Sequence, residues 1–467
     1  MSGRILVTDT PEQQQPQVVS VLTRFEFGKI PFDQPKQLHL MVTLEGAKLT
    51  LERKPLGIGV AIDCSGSMQG DKIDFAKKSL LTLVDHMTEQ DCLGIIGFSD
   101  NVFDVFGPKK MTAKAKDVAR SEIKKLRSMS ATNLSGATLK SYDVVKDAWE
   151  GMGRLIGQVL RALLFTDGQP TTGVCDPPSL VKMAGQKPEY ASLSTFGYGV
   201  DHDPKLLADM AKAGAGNFYF VQTPDKCAEF FGREIGGLLS CVAQNIKLQI
   251  KAAPGVKILS VLNDLKSEVE SDSATIMLDD VYSDERRKVV LKLELPEKSK
   301  AVAVRASKVC DVSAEFFDIK ATEKRTSMAT AKIDYVKEED AQKKPDTDVT
   351  EQIAILDAAK AQLKAKEYAD AGNFRMAQEV MTGGIMRLQA VGTDFADQAA
   401  YYMSNAADAV QGAQCYQGGG EAMMVSGAEA FNAGRGYSIG SAKLFSTPLQ
   451  KKMAASFADT KTKRKGK

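Results

Sequence analysis

The sequence predicts a multidomain chain of α/β, all-β and α parts: a doubly wound α/β domain inserted into a β-sandwich, then a helical bundle. Three observations carry this expectation. Apolar runs alternate with helical patterns over residues 54–240, strands of alternating texture lie on both sides of that block, and an Ala-rich stretch of helical periodicity follows. At 467 residues the chain is also too long for a single hydrophobic core.

Residues 1–16 are polar and Gln/Pro-rich, which fits a flexible N-terminal arm. Residues 17–53 contain VVSVLTRFEF and QLHLMVTLEGAKLTLE, β-branched and alternating segments separated by a Pro-containing turn. The pattern changes at Pro55. LGIGVAID is continuously apolar, as in a strand buried on both faces, and IDFAKKSLLTLVDHM has helical spacing. DCLGIIGFS, QVLRALLFTDG and YASLSTFGYGV repeat the buried-strand pattern, VFDVF reads as an edge strand, and GNFYFV closes the series before a terminal helix. This alternation over residues 54–240 implies a parallel, doubly wound sheet. From 241 to 335 the texture returns to alternating strands such as NIKLQIKAA and RKVVLKLELP, like those before Pro55, so the two sets are expected to share one sandwich. Residues 336–415 suggest three antiparallel helices joined near Gly372 and Gly392, and residues 416–467 read as a Gly-rich and basic low-complexity tail ending in KTKRKGK.

Composition excludes several functions. Sixty-one basic residues against 59 acidic ones argue against bulk nucleic-acid or membrane-surface binding. No run approaches the roughly 20 apolar residues of a membrane span, and MSGRILVTDTPEQQQ lacks the apolar centre of a secretory signal. Seven cysteines without a CxxC pair fit a reduced, cytoplasmic setting. Three dispersed histidines make a histidine-built zinc site improbable. Neither a GxxxxGK[ST] loop nor a GxSxG elbow occurs, so the expectation is a binding protein and not an enzyme.

One constellation asks for chemistry. Asp63, Ser65 and Ser67 follow the first central strand in VAIDCSGSMQG, Thr132 lies in the loop SATNLSG before a helix, and Asp167 ends the strand LLFTDG. All five belong at the carboxyl edge of the sheet, where doubly wound folds place ligands. Hydroxyls and carboxylates are hard oxygen donors suited to Mg²⁺. The structural alternative is N-capping by Ser65, Ser67, Thr132 or Ser135, but caps at one site do not account for three loops. Asp71 and Asp74 fit solvated first-turn acids and Asp176 a loop acid. Cys64 fits a small buried residue, and Cys175 an exposed thiol.

The DxSxS motif, the later threonine and the later Asp-Gly (Asp167, Gly168) together resemble the metal-ion-dependent adhesion site of von Willebrand factor type A domains, which are Rossmann-like. The wider pattern resembles intracellular and bacterial members with a flanking β-sandwich and following helices. The resemblance implies that Ser65, Ser67 and Thr132 meet Mg²⁺ through hydroxyls, directly or through water, with Mn²⁺ or Ca²⁺ as alternatives. It implies that Asp63 and Asp167 act largely through water or by orienting the serines. An Asp or Glu of a protein partner would complete the coordination sphere, which makes the chain a non-enzymatic scaffold. An adaptor of an AAA+ ATPase, a structural part of a large assembly and a metal-dependent hydrolase are the alternatives.

Overall fold

The structure is a computed structural model that describes residues 17–32, 36–48, 53–154, 158–223, 227–297, 304–435, 441 and 444–459. The expected arm over 1–16 and the basic end KTKRKGK lie outside the described residues.

Strands β1 (Val19–Phe25), β2 (Lys29–Pro31) and β3 (Lys36–Gly46) come first. The α/β block follows as β4 (Leu56–Asp63), α1 (Asp71–His86), β5 (Cys92–Phe98), β6 (Val102–Lys110), α2 (Ala113–Lys125), α3 (Leu134–Gly151) and β7 (Val159–Thr166). It continues through α4 (Pro177–Ala184), β8 (Ala191–Tyr198), α5 (Pro204–Ala213), β9 (Phe218–Val221) and α6 (Cys227–Leu239). Next come β10 (Cys241–Ala252), β11 (Lys257–Val261), β12 (Ser267–Val269), β13 (Ser273–Leu278), β14 (Val281–Tyr282), β15 (Arg286–Leu295), β16 (Val304–Asp318) and β17 (Glu323–Val336). The helices α7 (Thr347–Asp370), α8 (Phe374–Gln389), α9 (Asp394–Asp408), α10 (Glu421–Ala433) and α11 (Pro448–Asp459) complete the chain.

The central sheet has the order β6-β5-β4-β7-β8-β9, parallel except for the antiparallel edge strand β6. Every residue of β4, β5, β7 and β8 is buried, which is why these strands read as unbroken apolar runs. The chain leaves β4 for β5 on one side and reaches β7 on the other. That reversal opens a crevice between the loops after β4 and β7.

The insertion is a matter of hydrogen bonding. β3 pairs with β1 on one side and with β15, some 240 residues later, on the other. One sheet of the sandwich is β1-β3-β15-β11. The other is β12-β13-β10-β16-β17-β2, with β14 on β10. Their inward faces form one core that includes Leu40, Val42, Leu248, Val289, Leu291 and Val312. In the bundle, α7 and α8 end where Gly372 (φ 73°) and Gly392 (φ 72°) take the left-handed turn that closes helices.

The structure corrects the reading of residues 416–467 as a low-complexity tail. Residues Glu421–Ala433 form α10 and Pro448–Asp459 form α11. The small residues that lower sequence complexity are what permits close helix packing. A Cβ on Gly427 of α10 would come within 2.1 Å of Gln362 Oε1 on α7. A Cβ on Gly232 of α6 would come within 2.7 Å of the Met453 carbonyl and 2.8 Å of Ala454 Cα on α11. Ala454 and Phe457 are correspondingly buried.

A buried polar network ties the three parts together. Arg161 on β7, 1% exposed, donates to Asp280 at 2.6 Å and lies 3.3 Å from Glu234 of α6. Glu234 also accepts from Ser194, Asn217 and Tyr219 at 2.7–2.8 Å. Arg435, just beyond α10, donates to Glu285 at 2.7 Å and to Asn217 at 3.1 Å. Charges this deep persist only when paired, so the network fixes how sheet, sandwich and C-terminal helices meet.

Gly232→Val tests the docking of α11. Overpacking of this contact is expected to lower stability by about 2 kcal/mol in urea denaturation and to speed tryptic cleavage at the exposed pair Lys451–Lys452.

Candidate metal-binding site

Asp63 closes β4 with no exposed surface. Its Oδ1 accepts from the Ser65 amide at 2.7 Å and its Oδ2 from Thr166 Oγ1 at 2.5 Å, so both oxygens already hold chain atoms in place. Burial pushes the Asp63 carboxyl up to about 6, against the pull of these hydrogen bonds.

From Asp63 the polar contacts run outward. Ser65 Oγ and Ser67 Oγ are 3.0 Å apart, and Ser67 Oγ donates to Asp167 Oδ1 at 2.7 Å. With the Ser67 proton directed at Asp167, Ser65 is the donor between the two serines. Lys72 Nζ donates to Asp167 Oδ2 at 2.5 Å and to Asp201 at 3.0 Å. Burial pulls the Lys72 ammonium down, but the two carboxylates more than offset it and leave it above the usual lysine value.

Thr132 arrives from a third loop, which is stitched to the Asp167 loop by its backbone. Its amide donates to Thr171 Oγ1 at 2.8 Å, and its carbonyl accepts from the Thr171 amide at 3.0 Å. Gly168 shows that the hydroxyls converge: a Cβ built there would lie 3.2 Å from Ser67 Oγ and 3.6 Å from Thr132 Oγ1. Glycine leaves free the small space that a side chain would fill.

Helix capping does not account for these hydroxyls. α1 is capped by Gly70 without a side-chain bond, and the 3₁₀ turn Gly66–Met68 receives none from Ser65. α3 is capped by Asn133, which accepts from the Gly136 amide, and not by Thr132 or Ser135. Asp176 is the N-cap of α4, accepting from Ser179, which gives that loop acid a structural role. Asp71 and Asp74 lie in the first turn of α1. Cys64 is buried with its thiol pushed up to about 12, and Cys175 is exposed.

All five residues singled out from the sequence therefore meet at one edge of the sheet. Sequence reasoning missed Lys72, Thr166 and Asp201. Lys72 left a signal, because a lysine in the first turn of a helix opposes the helix dipole unless a carboxylate waits for it. Among the described residues no group of three or more His, Cys, Asp or Glu side chains could hold a metal, so a cation at this edge depends on the hydroxyls. The donor set suits a hard divalent ion: three hydroxyls, two carboxylates and a space kept open by glycine. Around it Met129, Val174 and Val200 stand 47%, 39% and 42% exposed, one on each of three neighbouring loops.

Residues 58–233 match the model of the von Willebrand factor type A domain. The protein YfbK of Escherichia coli (strain K12) is 27% identical over 234 residues, 50% of this chain and 40% of that protein. The E3 ubiquitin-protein ligase WAV3 of Arabidopsis thaliana is 25% identical over 274 residues, 57% of this chain and 34% of that protein. The chain thus spans well under half the length of either relative. Two solved structures share the fold over most of the chain, each at 16% identity: a von Willebrand factor type A protein from Catenulispora acidiphila (TM-score 0.64, 86% of this chain and 91% of that one) and the ArnB paralog VWA2 from Sulfolobus acidocaldarius (0.59, 89% and 98%).

His202, beside Asp201, offers a pH test of this loop. Burial pulls its imidazole down to about 4, so the folded state favours the neutral ring. That contribution is fully present above the unfolded value near 6.5 and is lost as pH falls toward 4. Between pH 7 and pH 4 the wild type is expected to lose about 3 kcal/mol more stability than His202→Gln, measured by denaturant unfolding at each pH.

Proposed function

Starting from a chain whose residues 58–233 are a von Willebrand factor type A domain, we propose a protein-interaction scaffold that recognises a partner through a divalent cation, Mg²⁺ by preference, at the Asp63–Asp167 edge. The observation that supports this most is the convergence of Ser65, Ser67 and Thr132 hydroxyls, none used as a helix cap, beside Gly168. A bound cation supplies a Lewis-acidic point to which an Asp or Glu of the partner can bind.

The chain's own residues set the terms. Asp63 orients the Ser65 backbone and Thr166 from below. Lys72 compensates the charge of Asp167 through its 2.5 Å contact, which leaves the donor set short of the negative charge needed to neutralise a divalent ion. That shortfall favours an acidic partner side chain. Met129, Val174 and Val200 provide apolar contact around the ionic centre, the usual arrangement for a docking face. Ser65 is hydrogen-bonded to Ser67 and not to a histidine, so it is not arranged as an activated nucleophile.

Gly168→Ala tests the cation site without touching a ligand. Gly168 is not in the left-handed region, so the backbone tolerates alanine, while the new methyl intrudes beside Ser67 and Thr132. Calorimetric titration with MgCl₂ is expected to show one site in the wild type and at least tenfold weaker binding in the variant; equal affinities refute the assignment.

Capture of a partner tests its use. Binding partners recovered in Mg²⁺ are expected to be lost in EDTA and with Asp63→Ala. The same partners retained under both conditions would overturn the reading.

A further inference from the structure

At the opposite edge of the central sheet, where α5, the sandwich and α10 meet, lies a cavity of about 220 Å³. Its walls include Lys187 of the α4–β8 loop and Lys212 of α5, Lys266 and Arg287 of the sandwich, and the carboxylates Asp264, Asp279 and, on α10, Glu429. Arg287 is 2% exposed, yet its side chain's one hydrogen bond among the described residues runs from Nη1 to the Asp280 carbonyl at 3.5 Å, the outer limit of such a bond. The other buried arginines differ: Arg161 is paired with Asp280, Arg233 with Glu229 and Arg435 with Glu285. Glu285 is close to Arg287, but its oxygens are engaged by Arg435 and by the Tyr282 amide.

A buried guanidinium with most of its donors facing a cavity calls for an anion. Lys187 and Lys266 reinforce the demand, since neither has an ion pair among the described residues, whereas Lys212 is bound to Asp264 at 2.8 Å. Burial pushes Glu429 up to about 7, which weakens its negative charge near neutrality.

The geometry points to a binding site for a small oxyanion, a carboxylate or phosphate group, held by Arg287 with Lys187 and Lys266. The volume falls below that of pockets for drug-sized ligands, so the ligand is small. Its position lets one bound anion join the α/β domain, the sandwich and α10. It lies across the length of the strands from Asp63 and Asp167, so the two sites are separate.

The full chain, freed of metal with EDTA, is titrated calorimetrically with inorganic phosphate and, separately, with malonate. Saturable binding of at least one is expected, and which one binds tighter identifies the ligand chemistry. Arg287→Gln is expected to weaken it at least tenfold. The Lys187→Gln/Lys266→Gln double variant alters only the wall and decides the matter if Arg287→Gln does not fold; it is expected to weaken binding at least fivefold. No saturable binding by either anion, or full affinity in the double variant, overturns the proposal.

Discussion

Two carboxylates with no exposed surface, Asp63 and Asp167, stand at the ends of adjacent strands β4 and β7, and the architecture of the edge follows from the need to compensate them. Burying an ionised carboxylate costs several kcal/mol unless hydrogen bonds or opposite charge offset it. Here one offset is local, the Ser65 amide for Asp63, and the others come from distant parts of the chain: Thr166 for Asp63, Ser67 and Lys72 for Asp167. The reversal of strand order at β4/β7 is what brings the two loops together. The same compensation that holds the loops leaves hydroxyls directed at a common space beside Gly168.

The remainder of the molecule gives that edge a rigid base. The pairing of β3 with β15 closes the sandwich around both ends of the inserted domain, so the domain is anchored at entry and exit. The Arg161–Glu234–Asp280 and Arg435–Glu285 contacts then bind sheet, α6, sandwich and C-terminal helices in one buried system, with Arg435 also stacked 4.2 Å over the Tyr282 ring. α11 covers α6 through backbone contact at Gly232. A loop site for recognition gains from such a base, because its ligands keep their geometry without partner binding.

The sheet and the insertion were legible because they rest on periodicity. LGIGVAID and QVLRALLF are buried on both faces and so read as nearly unbroken apolar runs, and the alternation before Pro55 matches that of RKVVLKLELP because the two pair. Asp63, Ser65, Ser67, Thr132 and Asp167 were legible because polar residues have no packing reason to end buried strands. What escaped was set by tertiary approach. Lys72 and Asp201 matter only because two loops meet, and Arg161 looks like an interruption of an apolar strand until Glu234 and Asp280 are placed beside it. The helix α10 was hidden by its own packing device: glycine and alanine lower sequence complexity, and the same small size lets helices touch at the backbone, as Gly232 of α6 does against α11.

The central claim is that the hydroxyls of three loops share one cation. The most direct measurement is a crystal soaked in MnCl₂ and examined by anomalous scattering. The account expects a single strong peak at the carboxyl edge of β4 and β7, within bonding distance of Ser67 Oγ and close to Ser65 and Thr132. An edge without any peak, with Lys72 still bound to Asp167, would contradict it.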